Sequence, residues 1–127
     1  MLESFVPQPT DAELTLLRVL WQNGPCTVKQ LHSSPSCKHW GYTTVLKFLQ
    51  IMTEKGLVAR QPEGRAHVYR ALYAEKETEE QLVRGFMARV FEGSPQRLVL
   101  GALSASKASS QELAEIRALL DTLEENG

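Results

Sequence analysis

Residues 42–72, YTTVLKFLQIMTEKGLVARQPEGRAHVYRAL, decide the fold. A helix is expected from Tyr42 or Thr43 to Lys55, with Gly56 in the C-terminal stop position. At 100° per residue, Val45, Phe48, Leu49 and Met52 share one face, while Thr43, Lys47, Gln50 and Glu54 share the opposite one. Tyr42, Thr43 and Thr44 crowd the N-terminus, where free amides point outward. Leu57–Gln61 and Ala66–Leu72 then read as two strands. The turn between them is expected at Pro62-Glu63-Gly64, where Pro presets φ and Gly tolerates the exit. The stretch is therefore a helix followed by a β-hairpin whose tip presents Arg60, Arg65 and His67.

Upstream, residues 1–9 carry Pro7 and Pro9 and read as an irregular lead-in. Thr10-Asp11-Ala12-Glu13 fits a capping box, in which a hydroxyl and a carboxylate three residues apart each satisfy an orphan amide. Leu14, Leu17, Leu20 and Trp21 follow at helical spacing until Asn23-Gly24-Pro25 stops the helix. Thr27-Val28-Lys29-Gln30 opens a second, short helix ending near His32, and residues 33–41 read as a loop.

Downstream, the chain reads as all helix. Between Glu75 and Phe91 an apolar stripe runs through Leu82, Val83, Phe86, Met87, Val90 and Phe91. Gly93-Ser94-Pro95 breaks it. A short helix with Leu98, Val99, Leu100 and Leu103 follows, and Ser109-Ser110-Gln111-Glu112 caps a last one with Leu113, Ile116, Leu119, Leu120 and Leu123 on one side.

The 127 residues, 43% hydrophobic and 23% charged, fit one domain with an accessory element and exclude a disordered or collagen-like chain. No apolar run reaches membrane-spanning length, and MLESFVPQPTDAE has neither the basic nor the apolar region of a signal peptide. Two cysteines are too few for a secreted disulfide framework, so the expected location is a reducing cytoplasm. The net charge of −1 hides an asymmetry: residues 1–72 carry eight Lys/Arg against five Asp/Glu, residues 73–127 six against ten. A mildly basic front suits an anionic partner.

The order helix, short helix, helix, hairpin is that of a winged helix-turn-helix. A helix fits the major groove of DNA and reads base edges with its polar face, while arginines on a hairpin reach phosphates or the adjacent minor groove. The rear stripes are too apolar to stand in water and too few to close a core alone. Two copies packing together would cover them, and a dimer matches an operator with two half-sites.

The chain resembles the penicillinase/methicillin-resistance repressor family (BlaI/MecI type) over nearly its whole length. The carrying residues are Pro9-Thr10-Asp11-Ala12-Glu13 with Leu20-Trp21, then Trp40 followed by Tyr42-Thr43-Thr44-Val45. Glu54-Lys55-Gly56-Leu57-Val58 and Glu63-Gly64-Arg65 through Tyr69 complete the set. The resemblance implies a mainly α fold with a small β-hairpin wing: a winged-helix DNA-binding domain over 1–73 and a helical dimerisation domain over 74–127. It implies a homodimeric, cytoplasmic repressor on an inverted-repeat operator in double-stranded DNA, with no cofactor and no catalysis. Tyr42, Thr43, Thr44 and Lys47 would be the recognition-helix contacts and Arg65 the wing contact. Leu46 stands where members often carry a basic residue. Gly101-Ala102 stands where well-known members have the Asn-Phe bond cut on induction. The expectation is that this chain is not inactivated by that cut and is released instead by a ligand, a partner or dilution of the dimer, with an inducer or sensor protease left as the unidentified partner.

Other readings compete. Tyr42 has an alternative role as a lid on the core, Thr43 and Thr44 as mere N-caps, Lys47 as a solvated surface lysine and Arg65 as part of a disordered hairpin tip. Cys26, His32, Cys37 and His39 lie within fourteen residues and would make a metal- or redox-responsive regulator, although their spacing matches no tight ligand motif. A winged helix used only for protein–protein contact is a further alternative. For an enzyme there is no nucleophile elbow, Walker loop, HExxH or dinucleotide turn.

Overall fold

Thr10 starts the first helix by the chemistry its sequence announces. Its hydroxyl accepts the Glu13 amide at 3.2 Å, and Oε1 of Glu13 accepts the Thr10 amide at 2.9 Å. The structure, a computed structural model, describes residues 7–127; of the lead-in expected over 1–9, only Pro7–Pro9 falls among them, without regular structure. Helix α1 spans Asp11–Asn23. Strand β1 is Cys26–Thr27, helix α2 Val28–Ser33 and helix α3 Tyr42–Lys55. Strands β2 (Val58–Glu63) and β3 (Ala66–Ala71) form the hairpin. Helices α4 (Glu75–Val90), α5 (Pro95–Ala105) and α6 (Ser110–Asn126) follow.

The chain divides into two compact units, one up to Val83 and one from Arg84 onward, with α4 running through the division. In the first unit, Leu16, Leu17 and Leu20 of α1, Leu31 of α2, and Val45, Leu49 and Met52 of α3 form a core with Val58 and Tyr69 of the sheet. Trp21 and Trp40 pack against this core, and the Trp21 indole N–H donates to the Tyr73 carbonyl at 3.0 Å. Phe48, expected on the buried face, is only half-buried and meets the Trp40 ring edge-on at 5.1 Å. Glu13 does more than cap: buried at the base of α1, it also receives the Lys55 ammonium at 2.6 Å, tying the start of α1 to the end of α3. A carboxylate so placed is stable because it is both hydrogen-bonded and paired.

The sheet is antiparallel with order β1-β3-β2, so the hairpin gains a third, two-residue strand that has no signal in the sequence pattern. Cys26 pairs with Tyr69 and Thr27 with Val68. The hairpin turn is also one step later than expected. Pro62 pairs with His67 and Glu63 with Ala66, so both belong to β2, and the turn is Gly64-Arg65. The reason is conformational: Gly64 takes φ +63°, and a two-residue loop with glycine first and a positive φ matches the right-handed twist of the strands. Pro62 is tolerated because β2 lies at the sheet edge, where its missing N–H need not feed a ladder. Arg65 therefore sits in the turn itself.

In the second unit, Ser94 caps α5 with Pro95 as its first residue. Ser109 and Glu112 form the capping box of α6, and the Ser109 backbone N–H and hydroxyl hold the Glu112 carboxyl below the usual carboxylate range. No side chain of residues 84–127 is buried. Among the described residues no helix is long and apolar enough to cross a membrane.

Candidate nucleic-acid interface

Helix α3 turns its apolar face to the core, so its other face is left outward. Thr43, Thr44, Lys47, Gln50 and Glu54 are all exposed, and Tyr42 is 49% exposed. Thr43 and Thr44 are not N-caps. That position belongs to Gly41, which offers no side-chain hydrogen bond. The first amides of α3 thus lack the side-chain partner that Thr10, Thr27, Ser94 and Ser109 give their helices. Lys47 lies one turn beyond Thr43 and, among the described residues, has no ion-pair partner; the same holds for Arg65.

A groove of about 500 Å³ runs between α2, the start of α3 and the wing. Tyr42 and Arg65 both line it, so these two expected site residues are brought together although the chain separates them by a helix and a strand. Lys29 and His67 line it as well, and Leu46 and Tyr69 supply apolar wall. Lys29 was missed as a site residue. The only signal for it in the sequence is its place just after the Thr27 cap, on the exposed side of a short helix. Three cationic or cation-forming side chains from two elements around one apolar-floored groove suit a polyanion whose sugars and bases have apolar faces.

The cysteines and histidines behave differently. Among the described residues, no three His, Cys, Asp or Glu side chains gather into a group that could hold a metal ion. Cys26 and Cys37 are free and buried. Burial pushes the Cys26 thiol above its ordinary value, which keeps it protonated and a poor nucleophile. His32 instead hydrogen-bonds the Trp40 backbone, and His39 lies against the Trp40 ring at 4.6 Å.

Comparison with known proteins agrees with this architecture. The penicillinase repressor of Bacillus licheniformis is 26% identical over 117 residues, covering 91% of each chain. A transcriptional regulator BlaI of Mycobacterium tuberculosis is 35% identical over 79 residues, 61% of this chain and 54% of that one. The solution structure of the DNA-binding domain of the repressor BlaI superposes with a TM-score of 0.51 at 26% identity, covering 59% of this chain and 93% of that one. The family model described as "Penicillinase repressor" matches residues 9–122. With α1, α2, α3 and the wing in winged-helix order and that match spanning nearly the whole chain, the protein belongs to the penicillinase repressor family, a family of transcriptional repressors and not of enzymes.

Proposed function

We propose that this protein is a homodimeric, cytoplasmic transcriptional repressor that binds an inverted-repeat operator in double-stranded DNA. Residues 1–73 bind DNA and residues 74–127 dimerise. Tyr42, Thr43, Thr44 and Lys47 enter the major groove on α3, and Arg65 reaches the backbone or adjacent minor groove from the wing. The observation that carries this reading is the outward polar face of α3 beside a wing whose turn arginine has no partner among the described residues. The dimer rests on the exposed Val99, Leu100, Leu103, Leu119, Leu120 and Leu123 in a unit with no buried side chain of its own. Exposed apolar side chains of that kind call for a partner surface.

The test is selection of duplexes from a random pool by the full chain, followed by binding titrations across a salt series. An enriched inverted repeat, bound with an affinity that falls linearly on logarithmic axes of salt, is expected. No enrichment and no salt-dependent binding would overturn the reading in favour of a protein–protein adaptor.

Release from DNA is assigned to a ligand, a partner or dilution of the dimer. The Gly101–Ala102 bond lies inside α5, and a Cβ at Gly101 would stand 3.1 Å from Cζ of Phe91. An endoprotease that needs extended substrate would have to unwind that turn. A pocket shaped for an aromatic residue would also lose about 2–3 kcal/mol of apolar contact on meeting alanine. In cells given a β-lactam the chain is therefore expected to stay intact on an immunoblot; specific fragmentation near residue 101 with derepression contradicts this.

A further inference from the structure

The turn between the two helices of a helix-turn-helix is usually three or four residues, which leaves little freedom in their angle. Here residues 34–41 separate α2 from α3, about twice that length. Something other than shortness must set where α3 begins. Its own N-cap does not, because Gly41 has no side chain to give.

Two contacts supply what is missing, and both come from His32 in the last turn of α2. Its Nε2 lies 2.9 Å from the Trp40 carbonyl oxygen. A carbonyl only accepts, so Nε2 carries the proton and donates. Its ring also meets the Tyr42 ring edge-on, with centroids 5.9 Å apart. The residues on either side of the Gly41 cap are thus both fastened to one imidazole. Trp40 is fixed from its other sides by its amide donating to the Cys37 carbonyl at 3.0 Å and by its ring against Phe48 of α3. The fully buried Cys37 anchors the middle of the loop.

We propose that His32 is the positioning residue of the recognition helix. It fixes the start of α3 by a tertiary contact and, unlike a Ser, Thr or Asp cap, leaves the first amides of that helix open. This rests on the DNA-binding reading for its purpose, but not for its geometry. His32 acts through Tyr42 and the α3 N-terminus and need not touch DNA itself.

The variants separate its two contacts. His32→Phe keeps an aromatic edge for Tyr42 and loses the donor to Trp40. His32→Gln places an amide donor near the position of Nε2 and loses the ring. Without DNA, amide exchange of Val45, whose N–H donates to the Gly41 carbonyl at 3.1 Å, is expected to accelerate about tenfold in His32→Phe and to return most of the way in His32→Gln. With the full chain and a duplex enriched by the wild type, His32→Phe is expected to bind about tenfold more weakly, with affinity for random duplex unchanged and partial rescue by His32→Gln. Wild-type exchange at Val45 in His32→Phe overturns the proposal, as does an equal loss on enriched and random duplex. If the wild type enriches no duplex, the repressor reading fails while the exchange experiment still decides the role of His32.

Discussion

Replacing Leu120 with Glu is expected to turn the protein into a monomer and to lower its affinity for its DNA site by about 10²–10⁴-fold. Leu119, Leu120 and Leu123 are each more than half exposed on α6, and Val99, Leu100 and Leu103 are exposed on α5. Each such side chain gains on the order of 1 kcal/mol when the part still in water is covered. A carboxylate among the leucines of α6 reverses the balance, because burying it without a partner costs several kcal/mol. The loss on DNA exceeds the local effect because one half-site must then be held without the second module, and the effective concentration that linkage provides disappears. Sedimentation at micromolar concentration reads the mass, and circular dichroism checks that the helices persist. Leu120→Met, which keeps the apolar volume, is expected to remain dimeric. A wild-type chain sedimenting as a 14.2 kDa monomer, or a Leu120→Glu variant sedimenting as a dimer, refutes the assignment of this face.

Lys47→Ala is expected to cost about 1–3 kcal/mol on the selected duplex, and much less on random DNA, if the ammonium reads base edges. Lys47 suits this role because α3 presents it outward one turn from Thr43, with no internal carboxylate to hold it among the described residues. Arg65→Ala is expected to behave differently. Its side chain stands in the two-residue turn of the wing, so its loss should weaken all duplexes alike and reduce the salt slope by about 1. Lys47→Ala with unchanged affinity on both kinds of DNA would remove it from the interface.

The contrast between these two residues shows where the sequence was readable. Lys47 could be placed on the outward face from period alone, since Val45, Leu49 and Met52 mark the inward one. Arg65 was placed near the hairpin tip but not in the turn, because the proline at position 62 suggested an earlier bend. Which residues turn was decided by pairing: Glu63 against Ala66 leaves just Gly64 and Arg65 between the strands.

The three capping boxes at Thr10, Thr27 and Ser109, the stop at Gly56 and the identity of the family were all determined by the sequence itself. Each depends on residues three or four apart, or on short strings in a set order, so the chemistry is written into the spacing. The pairing of β1 with β3, the tie from Lys55 to Glu13 across 42 positions, and the entry of Lys29 into the groove with Tyr42 and Arg65 were decided only by tertiary structure. So was the latch from His32 to the start of α3. Those contacts follow from how α1, α2 and the sheet pack around one core. No periodicity in the chain records that packing, because the distance between two side chains far apart in sequence is set by everything folded between them.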